Sequence, residues 1–229
     1  MRRLFILLGA VASLAACGRR APSDELFPLA GGHRWTYRVS TEMEDGGDTV
    51  ETLTLRTLGA DVQGWRRRSD DGLVYWLRAD ETGIYRIASR TDLEAEPQPD
   101  PARRYVLKAP YAPGTQWQAG TVPYLLTRRS EFPPELRHRS GEVSMSYRVE
   151  AAGLEVQTPA GRFAGCLRVA GAASVRVYVD PASGWRELPL ATLEWYCPGV
   201  GLVRLERREP AHSPFLVGGS RTLELTSWE

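Results

Sequence analysis

EVSMSYRVE, residues 142–150, decides the fold class. Val143, Met145, Tyr147 and Val149 fall on one side of an extended chain; Glu142, Ser144, Ser146, Arg148 and Glu150 fall on the other. Side chains of a strand alternate with period two, so this stretch describes a strand with one dry and one wet face, as antiparallel sheets have. The same alternation, or a run of β-branched and aromatic residues, recurs at 34–41, 48–58, 62–68, 73–79, 83–90, 103–108, 121–130, 154–158, 162–171, 174–180, 190–197, 201–208 and 221–228.

Turn chemistry separates these segments. EDGGD at 44–48 and SDDG at 69–72 are rich in turn residues, and YVDPASGW at 178–185 is a hairpin signal in which Asp180 bonds back to the backbone, Pro181 presets φ and Gly184 turns left-handed. Segments 92–101 and 130–140 hold Pro and charge and read as longer loops. No helical pattern follows the leader. The expectation is an all-β chain of roughly a dozen strands after a cleaved signal helix. Its sheet is curved and antiparallel, a half-barrel or barrel-like sandwich, because so many strands must close, curl or stack to hide their edges.

The leader places the chain. Arg2 and Arg3 precede an apolar run from Leu4 to Ala16, and LAAC follows at 14–17. A basic start, a short apolar core and small residues before a cut make a secretory signal, too short for a permanent span. LAAC resembles the lipobox of bacterial lipoproteins, which implies cleavage before Cys17 and a lipid on that cysteine. The expected division is a signal peptide at 1–16, a lipidated N-terminus and tether at 17–26, and a single β domain at 27–229. Acyl chains contribute about 0.8 kcal/mol per buried methylene, enough for several chains to hold the protein at a membrane. Gly18 stands where the bacterial sorting rule looks for an Asp that retains lipoproteins in the inner membrane. The expected location is therefore the cell envelope, on the outer membrane facing the periplasm, with the membrane as partner through the lipid.

Composition excludes one class. Loss of Arg2 and Arg3 with the leader takes the formal charge from +1 to −1, which is not the balance of a nucleic-acid binder. Lys108 is the single Lys among 29 basic residues, so the cluster Arg66-Arg67-Arg68 reflects an arginine-rich composition and reads as a solvated face. Cys166 and Cys197 remain after lipidation, and in an exported chain either a disulfide or two free thiols satisfies the sequence.

FPLAGGHRWTY at 27–37 is echoed by APYAPGTQW at 109–117, each with a Trp seven positions after a Pro. The echo reads as two strand starts, each plugged by Trp35 or Trp117, and divides the domain into similar halves at 27–108 and 109–229. The first copy resembles the P-L-x-x-G-x-x-W-x-Y opening of uncharacterised bacterial lipoproteins. VQTPAGRFAGCLRV at 156–169 and EWYCPGVGLVRLE at 194–206 resemble the TPAG-x-F-x-x-C-L-x-V and WYAPGVGLV ending of the same families, with Cys197 in place of an Ala. More distantly, the strand layout resembles the curved half-barrel of periplasmic lipoprotein carriers. The resemblance implies an exported lipoprotein and transfers no catalytic residues.

Chemistry-bearing motifs are sparse. His33, His138 and His212 have no metal-binding partner at local spacing, and H-E-x-x-H, C-x-x-C and G-x-S-x-G are all lacking, so no catalytic residue, metal or cofactor is expected. The clusters Glu42-Glu44-Asp45-Asp48 and Glu94-Glu96-Asp100 read as solvated loops. Trp35, Trp65, Trp76, Trp117, Trp185, Trp195 and Trp228 either fill the core or line a groove, and core filling is favoured. The sequence thus predicts a non-enzymatic binding module, for an apolar or amphipathic ligand or an envelope protein. A structural role in envelope assembly and a hydrolase acting on an envelope polymer are the alternatives.

Overall fold

A computed structural model describes residues 26–129, 141–180 and 182–229; the expected signal peptide at 1–16, Cys17 and the expected tether up to residue 25, His138 within 130–140, and Pro181 lie outside the described residues. The chain is all-β. Its strands are β1 (Arg34–Met43), β2 (Thr49–Ala60), β3 (Trp65–Ser69), β4 (Val74–Asp80), β5 (Gly83–Arg90), β6 (Gln98–Lys108), β7 (Gln116–Thr121), β8 (Thr127–Arg128), β9 (Val143–Thr158), β10 (Gly161–Asp180), β11 (Gly184–Cys197), β12 (Gly201–Glu209), β13 (Leu216–Val217) and β14 (Gly219–Trp228). Twelve form one sheet in the order β6-β5-β4-β3-β2-β1-β14-β12-β11-β10-β9-β7, while β8 and β13 pair apart from it. Neighbours run antiparallel throughout.

The two edges of this sheet, β6 and β7, are consecutive in the chain. The Trp117 indole on β7 donates to the Tyr105 carbonyl on β6 at 3.3 Å, so the sheet is nearly closed into a barrel-like shape. Trp35 and Trp117 are the second residues of β1 and β7 and are 2% and 5% exposed, as strand-starting plugs should be.

Several expected boundaries shift for physical reasons. Segments 142–150 and 154–158 are one strand, β9, carried through Gly153 at φ 73°. Segments 162–171 and 174–180 fuse into β10, whose register against β9 slips at Phe163, Cys166 and Arg168. Slips of this kind are bulges that bend long strands without ending them. Segment 121–130 is not one strand: Thr121 ends β7, Thr127–Arg128 form the short β8, and between them the buried Glu209 carboxylate accepts the N–H groups of Tyr124, Leu125 and Leu126 at 3.0, 2.8 and 3.0 Å, so these donors need no ladder. Arg207 donates to the same carboxylate at 2.7 Å, and breaking such a buried pair costs about 3–5 kcal/mol. Segment 92–101 is not wholly loop either, since β6 begins at Gln98 and pairs with β5.

One end of the barrel is plugged by the three stretches the sequence singles out. Trp35 Nε1 donates to the Val200 carbonyl at 2.7 Å, and the Tyr37 hydroxyl donates to the Leu202 carbonyl at 2.8 Å. Gly201, at φ 94°, lies so close that a Cβ there would sit 3.3 Å from Pro28. The β9–β10 turn joins them as Ala160 N–H donates to Leu225 at 3.0 Å. Cys166 and Cys197 are joined by a disulfide across β10 and β11, with Cα atoms 4.2 Å apart and a sequence separation of 31.

Arg67 ties the plug to the wall. The central member of the arginine cluster is buried, not solvated: its guanidinium carbon lies 4.1 Å from the centre of the Phe27 ring and 4.2 Å from that of Trp35, and Nη2 donates to the Pro28 carbonyl at 2.6 Å.

A crosslink closing a loop of this length stabilises by about 3–4 kcal/mol, chiefly by restricting the unfolded chain. Replacing both Cys166 and Cys197 by Ser is expected to lower unfolding stability by about that amount. Urea unfolding monitored by circular dichroism checks it, and reductant should reproduce the loss in the unaltered protein only.

Candidate functional site

Strand alternation sends one face of every sheet strand into the barrel, and the side chains there do not fill it. A cavity of about 260 Å³ remains, walled by Leu55, Leu77, Leu202 and Leu205 together with Tyr75, Tyr105, Tyr147 and Tyr196. Set among these are Arg67, Arg86, Arg104 and Glu194.

The register explains the cations. Arg67 on β3 pairs across to Tyr75 on β4, and Arg86 on β5 stands directly opposite Arg104 on β6. Asp100 holds Arg86 through Nε at 2.7 Å and through Nη2. Burial disfavours the Arg86 charge, and the hydrogen bonds and charge of Asp100 more than offset this, raising its pKa. Burial brings Arg67 down to about 10, so it stays charged at neutral pH. Arg104 is lowered by burial and then by the Arg86 charge.

The phenols are neutral. Burial pushes the Tyr37, Tyr147 and Tyr196 hydroxyls upward, and Tyr147 stacks on Trp117 with centroids 5.5 Å apart and planes 10° from parallel. Glu194 lies deep in the molecule yet opens on the cavity. It accepts the Tyr196 hydroxyl at 2.6 Å and the Thr192 hydroxyl at 3.5 Å, and burial raises its pKa above the usual carboxylate value. Chemically, the site combines an apolar pocket, a rim of neutral hydroxyl donors and a surplus of positive charge.

The residues the sequence flagged are dispersed. His33 is half-buried against Trp35 at 5.6 Å between ring centres, and His212 is exposed, 3.8 Å from Glu44. Among the described residues no group of three or more His, Cys, Asp or Glu is placed to hold a metal ion. Glu44 and Asp48 are turn locks: Glu44 accepts the N–H groups of Ala211 and Gly218, each at 3.1 Å, and Asp48 accepts that of Met43 at 3.1 Å. Asp100 is half-buried within β6 and ion-paired, in contrast to the solvated loop expected for it. Trp35, Trp76 and Trp117 are buried, Trp65 and Trp195 half-buried, and Trp185 and Trp228 exposed; none of them lines the cavity. The sequence reading assigned no ligand role to Arg104, Tyr147 or Glu194, which line the cavity. The available signal was the alternation itself: Tyr147 and Glu194 stand at inward positions of strands that the sequence did locate.

The fold and site together describe an all-β, barrel-like protein with a half-open pocket that polar groups share with leucines. Two solved structures resemble it. One is described as a "putative lipoprotein" from Parabacteroides distasonis ATCC 8503, at 15% identity and TM-score 0.42, over 90% of this chain and 98% of that one. The other is described as a "putative exported protein with YmcC-like fold" from Bacteroides fragilis NCTC 9343, at 16% identity and TM-score 0.40, over 90% and 99%. No family model matches the chain, and no curated protein matches it at the sequence level.

Glu194 yields a pH test. Its folded pKa is raised, so the native state keeps this proton longer than the unfolded chain does. The stability it contributes is complete below the ordinary carboxylate range and is lost as pH rises through the folded value. Urea midpoints measured from pH 4 to pH 8 should show this fall in the unaltered protein. In Glu194→Gln, which keeps the Tyr196 acceptor, the Glu194 part of the slope disappears.

Proposed function

We propose that this chain is a lipid-anchored protein of the bacterial cell envelope, at the outer membrane facing the periplasm, that binds a small apolar or amphipathic molecule without catalysing its conversion. The observation that carries the reading is the cavity: about 260 Å³ stays open among leucine and tyrosine side chains after the barrel ends are packed. Apolar walls with a few convergent polar groups are the usual make-up of small-molecule sites. The LAAC sequence at 14–17 supports the anchor. A tether of residues 17–26 spans at most about 36 Å, so the barrel works within reach of the membrane, plugged end first.

Two experiments test this reading. Cys17→Ser should move the protein from the membrane to the soluble fraction; retention in the membrane would refute the anchor. Calorimetric titration of the full chain carrying Cys17→Ser, which needs no detergent, should show saturable octanol binding. Leu205→Trp fills the cavity and should abolish that binding while leaving the circular dichroism spectrum intact. Unchanged octanol binding in Leu205→Trp, or none in the parent, would refute the cavity as a ligand site.

A further inference from the structure

The charges around the cavity specify its ligand further. Of the three guanidinium groups that line it, two are committed. Arg67 is held between Phe27 and Trp35 and donates to the Pro28 carbonyl. Arg86 takes both oxygens of Asp100. Arg104 has neither a hydrogen bond nor an ion pair among the described residues. It stands instead directly opposite Arg86 in the β5–β6 register, and like charges opposed across an antiparallel pair destabilise it. Glu194 is the one carboxylate among the described residues that line the cavity, and its oxygens already accept the hydroxyls of Tyr196 and Thr192. Asp100 and Glu194 reach Arg104 through space only, and a half-buried cation with no directly bonded partner favours an anion that can supply one.

The surroundings define what kind. Tyr147 lines the same cavity, is electrostatically coupled to Arg104, and carries a hydroxyl that donates. A planar guanidinium best matches a planar carboxylate. The same lining includes the apolar side chains of Leu55, Leu77 and Leu205. A volume of about 260 Å³ lies just below the ~300–1,000 Å³ of drug-sized sites, which restricts the ligand to a short tail.

We propose that the cavity binds a small amphipathic carboxylic acid, its carboxylate paired with the Arg104 guanidinium and accepting the Tyr147 hydroxyl, its apolar tail against Leu55, Leu77 and Leu205. This rests on the reading of the barrel as a ligand-binding module and adds the head group. A short fatty acid and an arylalkanoic acid share this chemistry, and the test separates them.

Octanoate, 3-phenylpropanoate and octanol are titrated calorimetrically into the full chain carrying Cys17→Ser, alone and with Arg104→Gln or Arg104→Lys. Octanoate or 3-phenylpropanoate should bind more tightly than octanol, and the tighter acid identifies the tail. Arg104→Gln should weaken the acids by roughly tenfold to a hundredfold, the scale of one lost charge-assisted hydrogen bond, and leave octanol within about twofold. Arg104→Lys, keeping the charge and losing the fork, should fall between. Retained octanol binding shows that the variants fold. Acids that bind Arg104→Gln as they bind the parent would overturn the head-group assignment while leaving the cavity reading intact. Absence of binding by all three probes would overturn both.

Discussion

An antiparallel sheet of twelve strands has two edges of unpaired backbone groups and more twist than a flat layer tolerates. This protein brings its edges together: β6 and β7 follow one another in the chain, and the Trp117 indole reaches across to the Tyr105 carbonyl. Everything else depends on that closure. It turns one face of the sheet inward, so residues far apart in sequence, such as Leu55, Arg104, Tyr147 and Leu205, share one interior. It also creates two open ends that must be packed.

The ends are handled differently. At one, the N-terminal FPL segment, the turn after β11 and the β9–β10 turn interlock, with Arg67 between two rings and a disulfide beside them. Arg67 gives up solvation there, and the aromatic faces and the Pro28 carbonyl replace part of it. At the other, Leu216 joins Val179, Leu188 and Ala211 in an apolar cluster, and Arg128 of β8 donates to the Val179 carbonyl at 2.8 Å. The Arg207–Glu209 pair anchors the chain leading into β8 through three backbone N–H groups. Between the packed ends the barrel keeps a pocket lined in part by Arg86, Arg104 and Glu194.

Much of this was legible in the sequence. The alternation in EVSMSYRVE, the turn chemistry of YVDPASGW and the strand-starting Trp35 and Trp117 follow from local rules, and the structure places each in strand or turn accordingly. Asp180 accepts the N–H groups of Ala182 and Ser183 at 2.8 and 2.9 Å, as its position in that turn requires. Errors arose where a distant group replaced a local one. Segment 121–130 has strand composition, but Glu209, more than eighty residues away, takes its backbone donors. Asp100 looks like a loop carboxylate until β5 supplies Arg86.

The sequence by itself determined the all-β class and the alternating faces, because period-two patterning is a property of neighbouring residues. Tertiary structure alone decided that Arg67 is buried while Arg66 and Arg68 are not, that Cys166 meets Cys197, and that Arg104 lines the cavity with no hydrogen bond or ion pair among the described residues. The physical reason is common to all three. Burial and charge neutralisation depend on which strands lie opposite one another, and that order is set by closing the sheet rather than by any stretch of the chain alone.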